Sequence, residues 1–254
     1  FRGQWGFRQG QTLSKEQWQE LVEREAQPVL KRLVAEATAH RHLDPAVAYG
    51  YWPVASERND LIIFDPETGA ETARLNLPRQ MDESKRHLCI SDWFRPRGAI
   101  ALGDEQAFIP AAAWESGARD VLAAHVVTMG EAASRWTQRL FEADSYQEYL
   151  YAHGFSVEMA EALAEYWHKR VRQQLGIAGD DALDIAELFT QGYQGSRYSF
   201  GYPACPSMSD QDKLFRLLQP QRIGCELTEN WQIDPEQSTS AIIVHHPEAK
   251  YFNV

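Results

Sequence analysis

The stretch Arg197-Tyr198-Ser199-Phe200-Gly201-Tyr202-Pro203-Ala204-Cys205-Pro206 is the densest concentration of recognition chemistry in the chain. Pro203 and Pro206 fix φ and remove two backbone donors. They also push Tyr202 and Cys205 towards extended backbone. The stretch therefore cannot be helical, and it makes a poor central strand. Gly201 permits a positive φ or the close approach of another group. Arg197 offers a planar fork that matches a carboxylate, and Tyr202 offers a ring face beside the loop. A ligand bearing a carboxylate, a cation and an adenine would find a partner for each part. A tight connection packed by aromatics would use the same residues equally well.

A second charged feature is the acidic stripe Glu158, Glu161 and Glu165. These residues fall at i, i+3 and i+7 and share one face of a predicted helix. A solvated surface is the simplest account of them. Signatures of common catalysis are missing: the sequence holds no GxxxxGK(S/T), no GxGxxG after a strand, no GxSxG and no HExxH. His245 and His246 are adjacent, so on a strand they point to opposite faces and cannot easily share a metal. No catalytic residues and no metal site are expected. The residues point to a domain that works by binding.

Composition narrows the partners. The chain has 254 residues, with 25 Lys and Arg against 36 Asp and Glu, a formal net charge of −11. Phosphate binding wants a basic surface, so nucleic acid is excluded as the main partner. An anionic membrane is disfavoured for the same reason. No run approaches ~18 apolar residues, so no membrane-spanning helix is expected. The three cysteines, Cys89, Cys205 and Cys225, have no CxxC spacing and fit a reducing, cytoplasmic compartment. The N-terminal FRGQWGFRQG has no apolar core and no initiator Met. It reads as the start of an excised or processed chain without a secretory signal. The 8 Trp, 10 Tyr and 11 Phe read first as core residues rather than as a platform for a planar ligand.

The elements that must position these residues are legible by pattern. Ser14 followed by Gln17 resembles a capping box opening a helix to about His40, which Pro28 should kink or split. Alternation and turn residues predict strands over Val47–Val54, Leu61–Asp65 and Glu71–Leu77, an antiparallel meander. Cys89–Phe94 is short and apolar and is broken by Arg95-Pro96-Arg97-Gly98. Val121–Thr128 is a continuous apolar run, read as a buried strand. Helices are predicted over 131–152 and 156–175, the second with Ser156 as N-cap. A short helix near 184–191, a helix over 210–218 and strands near 225–231 and 240–246 complete the chain. With no repeats or long linkers, residues 1–254 read as one α+β domain, with a helical N-terminal part over 1–44 and a core over 45–254.

RYSFGYPACP fits the pattern Arg-x-x-x-Gly-Tyr-Pro-Ala-Cys-Pro. It resembles the S-adenosylmethionine-binding signature of the C-terminal activation domain of cobalamin-dependent methionine synthase. Tyr49-Gly50-Tyr51-Trp52-Pro53 is similar to that family's (F/Y)-G-x-W-P strand, and Ser91-Asp92-Trp93 to its (A/S)-D-(F/W) step. Ala164-Glu165-Tyr166-Trp167-His168-Lys169-Arg170-Val171-Arg172 resembles its A-E-(Y/W)-x-H-x-x-(V/I)-R helix. Leu227-Thr228-Glu229 and His246-Pro247-Glu248-Ala249-Lys250-Tyr251 extend the likeness, in colinear order over about residues 45–254.

The resemblance implies a single C-shaped α+β domain with a twisted antiparallel sheet flanked by helices. It implies S-adenosylmethionine in a shallow groove facing the cobalamin of a neighbouring domain. Part of a methyltransferase, 5-methyltetrahydrofolate–homocysteine methyltransferase, the family domain serves the reductive remethylation of oxidised cobalamin. Flavodoxin or another one-electron donor supplies the electron. By the same resemblance, Arg197 takes the methionine carboxylate or adjacent polar atoms, Ser199 gives main-chain hydrogen bonds, Gly201 keeps the approach open, and Ala204 is a further ligand-binding position. Tyr202 lies between nucleotide and corrin. Glu161 is the acidic helix position near the ligand, and Tyr251, Phe252 and Asn253 are the C-terminal strand that touches it. Gln191 stands where the family has a second acidic residue. Phe252 stands where a tyrosine is expected, and the family's N-terminal aspartate would fall upstream of Phe1. The alternative is a docking module for a corrinoid protein or flavodoxin that binds no ligand of its own.

Overall fold

The computed structural model describes residues 4–7, 13–81, 86–97, 99–102, 105–108 and 119–253. The expected break at Gly98 and much of FRGQWGFRQG lie outside them. Ser14 forms the predicted capping box: its hydroxyl accepts the Gln17 N–H at 3.2 Å, and the Gln17 side chain accepts the Ser14 N–H at 2.9 Å. Helix α1 (Lys15–Leu21) follows. The regular α-helix is interrupted just before Pro28, as expected, although the chain stays helical through it. A π-helical turn over Val22–Ala26 absorbs the irregularity, and α2 (Gln27–His40) starts with Pro28 in its first turn. A missing N–H is tolerated at that position.

The predicted meander is present as β1 (Ala46–Glu57), β2 (Asp60–Phe64) and β3 (Glu71–Asn76). Asp65 closes the second turn by accepting the Glu67 and Thr68 N–H groups at 3.0 and 2.7 Å. Strands β4 (Ala99–Leu102) and β5 (Glu105–Phe108) form a separate hairpin. The apolar run becomes β6 (Asp120–Thr128).

Two helices follow, with a boundary that differs from the predicted one. Helix α3 spans Gly130–Glu142 and α4 spans Tyr146–Gln174, separated at Asp144 with φ +54°. Ser156 is therefore no cap; it sits inside α4 and donates to the Ala152 carbonyl at 2.8 Å. Gly154, inside α4, is a packing notch. A Cβ there would lie 2.6 Å from Gln4 Cβ and 2.9 Å from Trp5 Nε1. Trp5 fills the notch, and its indole donates to the Tyr151 carbonyl at 3.0 Å.

After α4 come α5 (Ile185–Leu188), β7 (Ser196–Tyr198) and α6 (Gln211–Leu218). The last strands are the short pair β8 (Glu226–Leu227) and β9 (Ile233–Asp234), then β10 (Ser238–Val244). The predicted strand at 225–231 thus shrinks to two residues with its partner supplied by β9.

The main sheet has six antiparallel strands in the order β3-β2-β1-β6-β10-β7. Side chains alternate across it, so the central strand serves two interiors. Leu122, Ala124 and Val126 join the main core with Trp52, Ile63 and Phe215. Ala123 meets Val171 of α4 and Ile243 of β10 on the opposite face. A strand covered on both faces reads as a continuous apolar run. The architecture is α+β, an antiparallel sheet flanked by helices. Among the described residues no helix is long and apolar enough to cross a membrane.

One polar residue interrupts that run. His125 shares the α4-facing parity of Ala123 and is completely buried, as is His168 on α4. None of their four ring nitrogens has a hydrogen-bond partner among the described residues. Burial, with the field of Arg197, lowers the His125 pKa from 6.5 to about 3. Burial, aided by Arg172 and Arg197, holds His168 well below its ordinary value. Both rings are neutral in the folded chain. Below pH ~6.5 the unfolded chain takes up protons that the fold refuses, so stability falls with pH. We expect a loss of about 1.4 kcal/mol per pH unit from His125 between pH ~6 and ~4, with His168 acting in the same direction. Urea denaturation across that range checks it, and His125→Leu should flatten the slope.

Candidate functional site

Parity at the sheet edge sets the site. In β7, Arg197 pairs with Ile243 and Tyr198 with Ile242. Ile243 faces α4, whereas Ile242 faces the main core. Arg197 is therefore directed to α4 and Tyr198 into the interior. Arg197 Nη2 lies 2.6 Å from Glu165 Oε1 and 3.6 Å from Glu161 Oε2. The Arg197 side chain is 14% exposed, while those of Glu161 and Glu165 are 50% and 55% exposed. The acidic stripe is thus not merely solvated: two of its members hold the arginine. Half-exposed carboxylates make such pairs worth at most about 1 kcal/mol, so their main effect is orientation.

Tyr198 fixes the other half. Its hydroxyl donates to the Lys250 carbonyl at 2.8 Å, and its ring lies 6.1 Å from the Phe252 ring at 62°. Burial pushes the phenol pKa up to about 12. The C-terminal segment is thereby laid beside β7. Within it Tyr251 is exposed, Phe252 is buried, and the carbonyl of exposed Asn253 accepts from Gln80 Nε2 at 2.6 Å.

Between these halves lies a tight turn. Gly201 has φ +87°, which favours glycine, and its N–H donates to the Cys205 carbonyl at 2.9 Å. The Cys205 N–H donates in turn to the Tyr202 carbonyl at 2.9 Å. A Cβ at Gly201 would sit 2.7 Å from Met208 Sδ. Ala204 and Cys205 are tucked beneath the turn, and Tyr202 stands 58% exposed on top of it. Ser199 and Tyr202 help line an open groove of ≈ 440 Å³ together with Gln211, Ser240 and Thr228. The structure thus joins Arg197 to Glu161, gathers Ser199, Gly201, Tyr202 and Ala204 into one turn, and sets Tyr251–Asn253 alongside through Tyr198.

Residues 3–254 match the family described as vitamin B12 dependent methionine synthase, activation domain. The chain belongs to this family. It is 40% identical to the methionine synthase of Mycobacterium tuberculosis (strain ATCC 25618 / H37Rv), and 40% identical to that of Mycobacterium leprae (strain TN). Both alignments take in 100% of this chain, which spans 21% of each relative's length. The fold is also similar to the crystal structure of the MetH reactivation domain bound to AdoHcy, with a TM-score of 0.78 and 26% identity. That match covers 95% of this chain and 73% of the other.

The sequence singles out Glu165, Tyr198 and Gln191 but not the contacts that the structure gives them. Glu165 is nearer to Arg197 than Glu161 is, and the signal was there: it lies one turn further along the same stripe. The contact of Tyr198 was hidden because it depends on strand parity. Gln191 Nε2 donates to the Gly195 carbonyl at 2.8 Å and the Ala249 carbonyl at 3.0 Å. It staples the entry to β7 onto the C-terminal segment. A carboxylate has no proton to donate there. Gln191→Glu should therefore cost about 2 kcal/mol in urea denaturation at pH 7. Part of that loss should return near pH ~4, where a protonated carboxyl can donate again.

Proposed function

We propose that this activation domain binds S-adenosylmethionine and presents its methyl group to cobalamin held by a neighbouring domain. The outcome is reductive methylation that returns methionine synthase, a methyltransferase, to its active state. The observation that carries the reading is the triad of Arg197, Glu161 and Glu165 at the edge of the Ser199–Ala204 turn. Its formal charge sums to −1, from one guanidinium and two carboxylates. S-adenosylmethionine carries +1, from a sulfonium, an ammonium and a carboxylate, so ligand and triad are complementary.

The roles follow from chemistry. Arg197 takes the carboxylate through its fork. Glu161, helped by Glu165, faces the ammonium and sulfonium. Ser199 and Ala204 offer main-chain groups, Gly201 leaves the approach open, and Tyr202 lies between nucleotide and corrin. Tyr251, Phe252 and Asn253 close the other side. Cobalamin supplies the methyl-accepting cobalt, and flavodoxin or another one-electron donor supplies the electron. The sulfonium methyl is already electrophilic, so the chain needs no acid, base or nucleophile. Its task is to hold the methyl in line. On this reading residues 1–254 act as one domain, and the cysteine usage supports a reducing, cytoplasmic setting.

Isothermal titration tests it. S-adenosylmethionine should bind the wild-type chain saturably, and Arg197→Ala should weaken it by a decade or more, about 1.4 kcal/mol. Glu161→Gln should weaken S-adenosylmethionine more than S-adenosylhomocysteine, which lacks the sulfonium charge. A flat wild-type trace that stays flat when the chain is extended upstream of Phe1 would favour a docking module without a ligand.

A further inference from the structure

Three apolar side chains near the site cover nothing. Leu183 is 103% exposed, Ile185 65% and Phe189 83%. Ile185 and Phe189 are four residues apart at one short helix, so they share a face. Apolar groups gathered this way on an otherwise charged surface mark an interaction site. We propose that this patch is the docking surface for the cobalamin-carrying domain; the proposal rests on the function proposed above.

The choice of occupant follows from position. The patch is firmly tied to the Arg197 loop. The Ala182 N–H donates to the Gly192 carbonyl at 2.8 Å, and the Gly192 N–H donates to the Glu187 carbonyl at 2.8 Å. Two residues after Phe189, Gln191 is bonded to both Gly195 and Ala249. On the proposed function, a body that brings a corrin towards Arg197 approaches the segment that Gln191 ties to the start of β7, and α5 lies in that segment. This chain spans 21% of each relative's length, so those proteins have further parts that can meet such a surface. Charge specifies the partner further. Asp180, Asp184 and Glu187 are exposed around the patch. The facing surface should be apolar at its centre and basic at its rim.

The test is a double substitution, Leu183→Ser with Phe189→Ser, in the cobalamin-loaded full-length enzyme and in this chain. Both side chains are exposed, so the fold should be kept. The variant chain should bind S-adenosylmethionine within twofold of wild type. Its affinity for a separately prepared cobalamin-loaded domain, measured by titration without S-adenosylmethionine, should fall at least tenfold and weaken further with salt. In the full-length enzyme, methylcobalamin formation with a chemical one-electron reductant should slow at least tenfold, read from the cobalamin spectrum. Unchanged affinity for the cobalamin-loaded domain would overturn the proposal, as would a wild-type chain that does not bind it. So would sedimentation showing that the patch pairs two copies of this chain. Loss of S-adenosylmethionine binding by the wild type would count against the ligand reading alone, because docking is measured without it.

Discussion

The two neighbouring residues Arg197 and Tyr198 leave the edge strand in opposite directions, and the site depends on that divergence. Strand geometry demands it: successive side chains take opposite faces. One face meets the glutamates of the longest helix, and the other meets the C-terminal segment. A register shift of one residue would exchange them, placing a guanidinium in the core and a phenol against carboxylates. The pairing of β7 with β10 prevents that slip, and β10 is in turn held by the central strand.

The energies around this point are unequal. The ion pairs of Arg197 are half exposed and individually weak. The buried contacts are not. Tyr198 sits in the main core, and Cys205 beneath the turn has its thiol pKa pushed up to about 12 by burial. An inert, buried thiol behaves as a small apolar group there. Packing therefore sets the position of the turn, and weak polar contacts set the orientation of the groups that project from it.

What could be read from the residues alone follows the same division. Local signals were sufficient for the capping box at Ser14, the β1–β3 meander and the buried run of β6, because each is written in spacing, turn residues and alternation. The junction between α3 and α4 falls at Asp144 rather than before Ser156, because a serine inside a helix can bond the carbonyl four residues back as readily as it caps a helix start. The loop around Gly201 was recognisable by composition, and family likeness pointed to Arg197 and Glu161. The pair between Arg197 and Glu165 joins residues 32 apart through a strand and a helix, and no local pattern encodes it. The same holds for Gln191, whose side chain bridges two carbonyls 54 positions apart, from Gly195 to Ala249.

The confinement of Arg197 has a thermodynamic consequence. A long, freely rotating side chain that must be immobilised by its ligand costs about 0.5–1.5 kcal/mol of rotational entropy at the moment of association. Here the guanidinium is already fixed against α4, so that cost falls on folding. On the proposed function, docking a ligand's carboxylate should then show a smaller entropic penalty than a flexible arginine would impose.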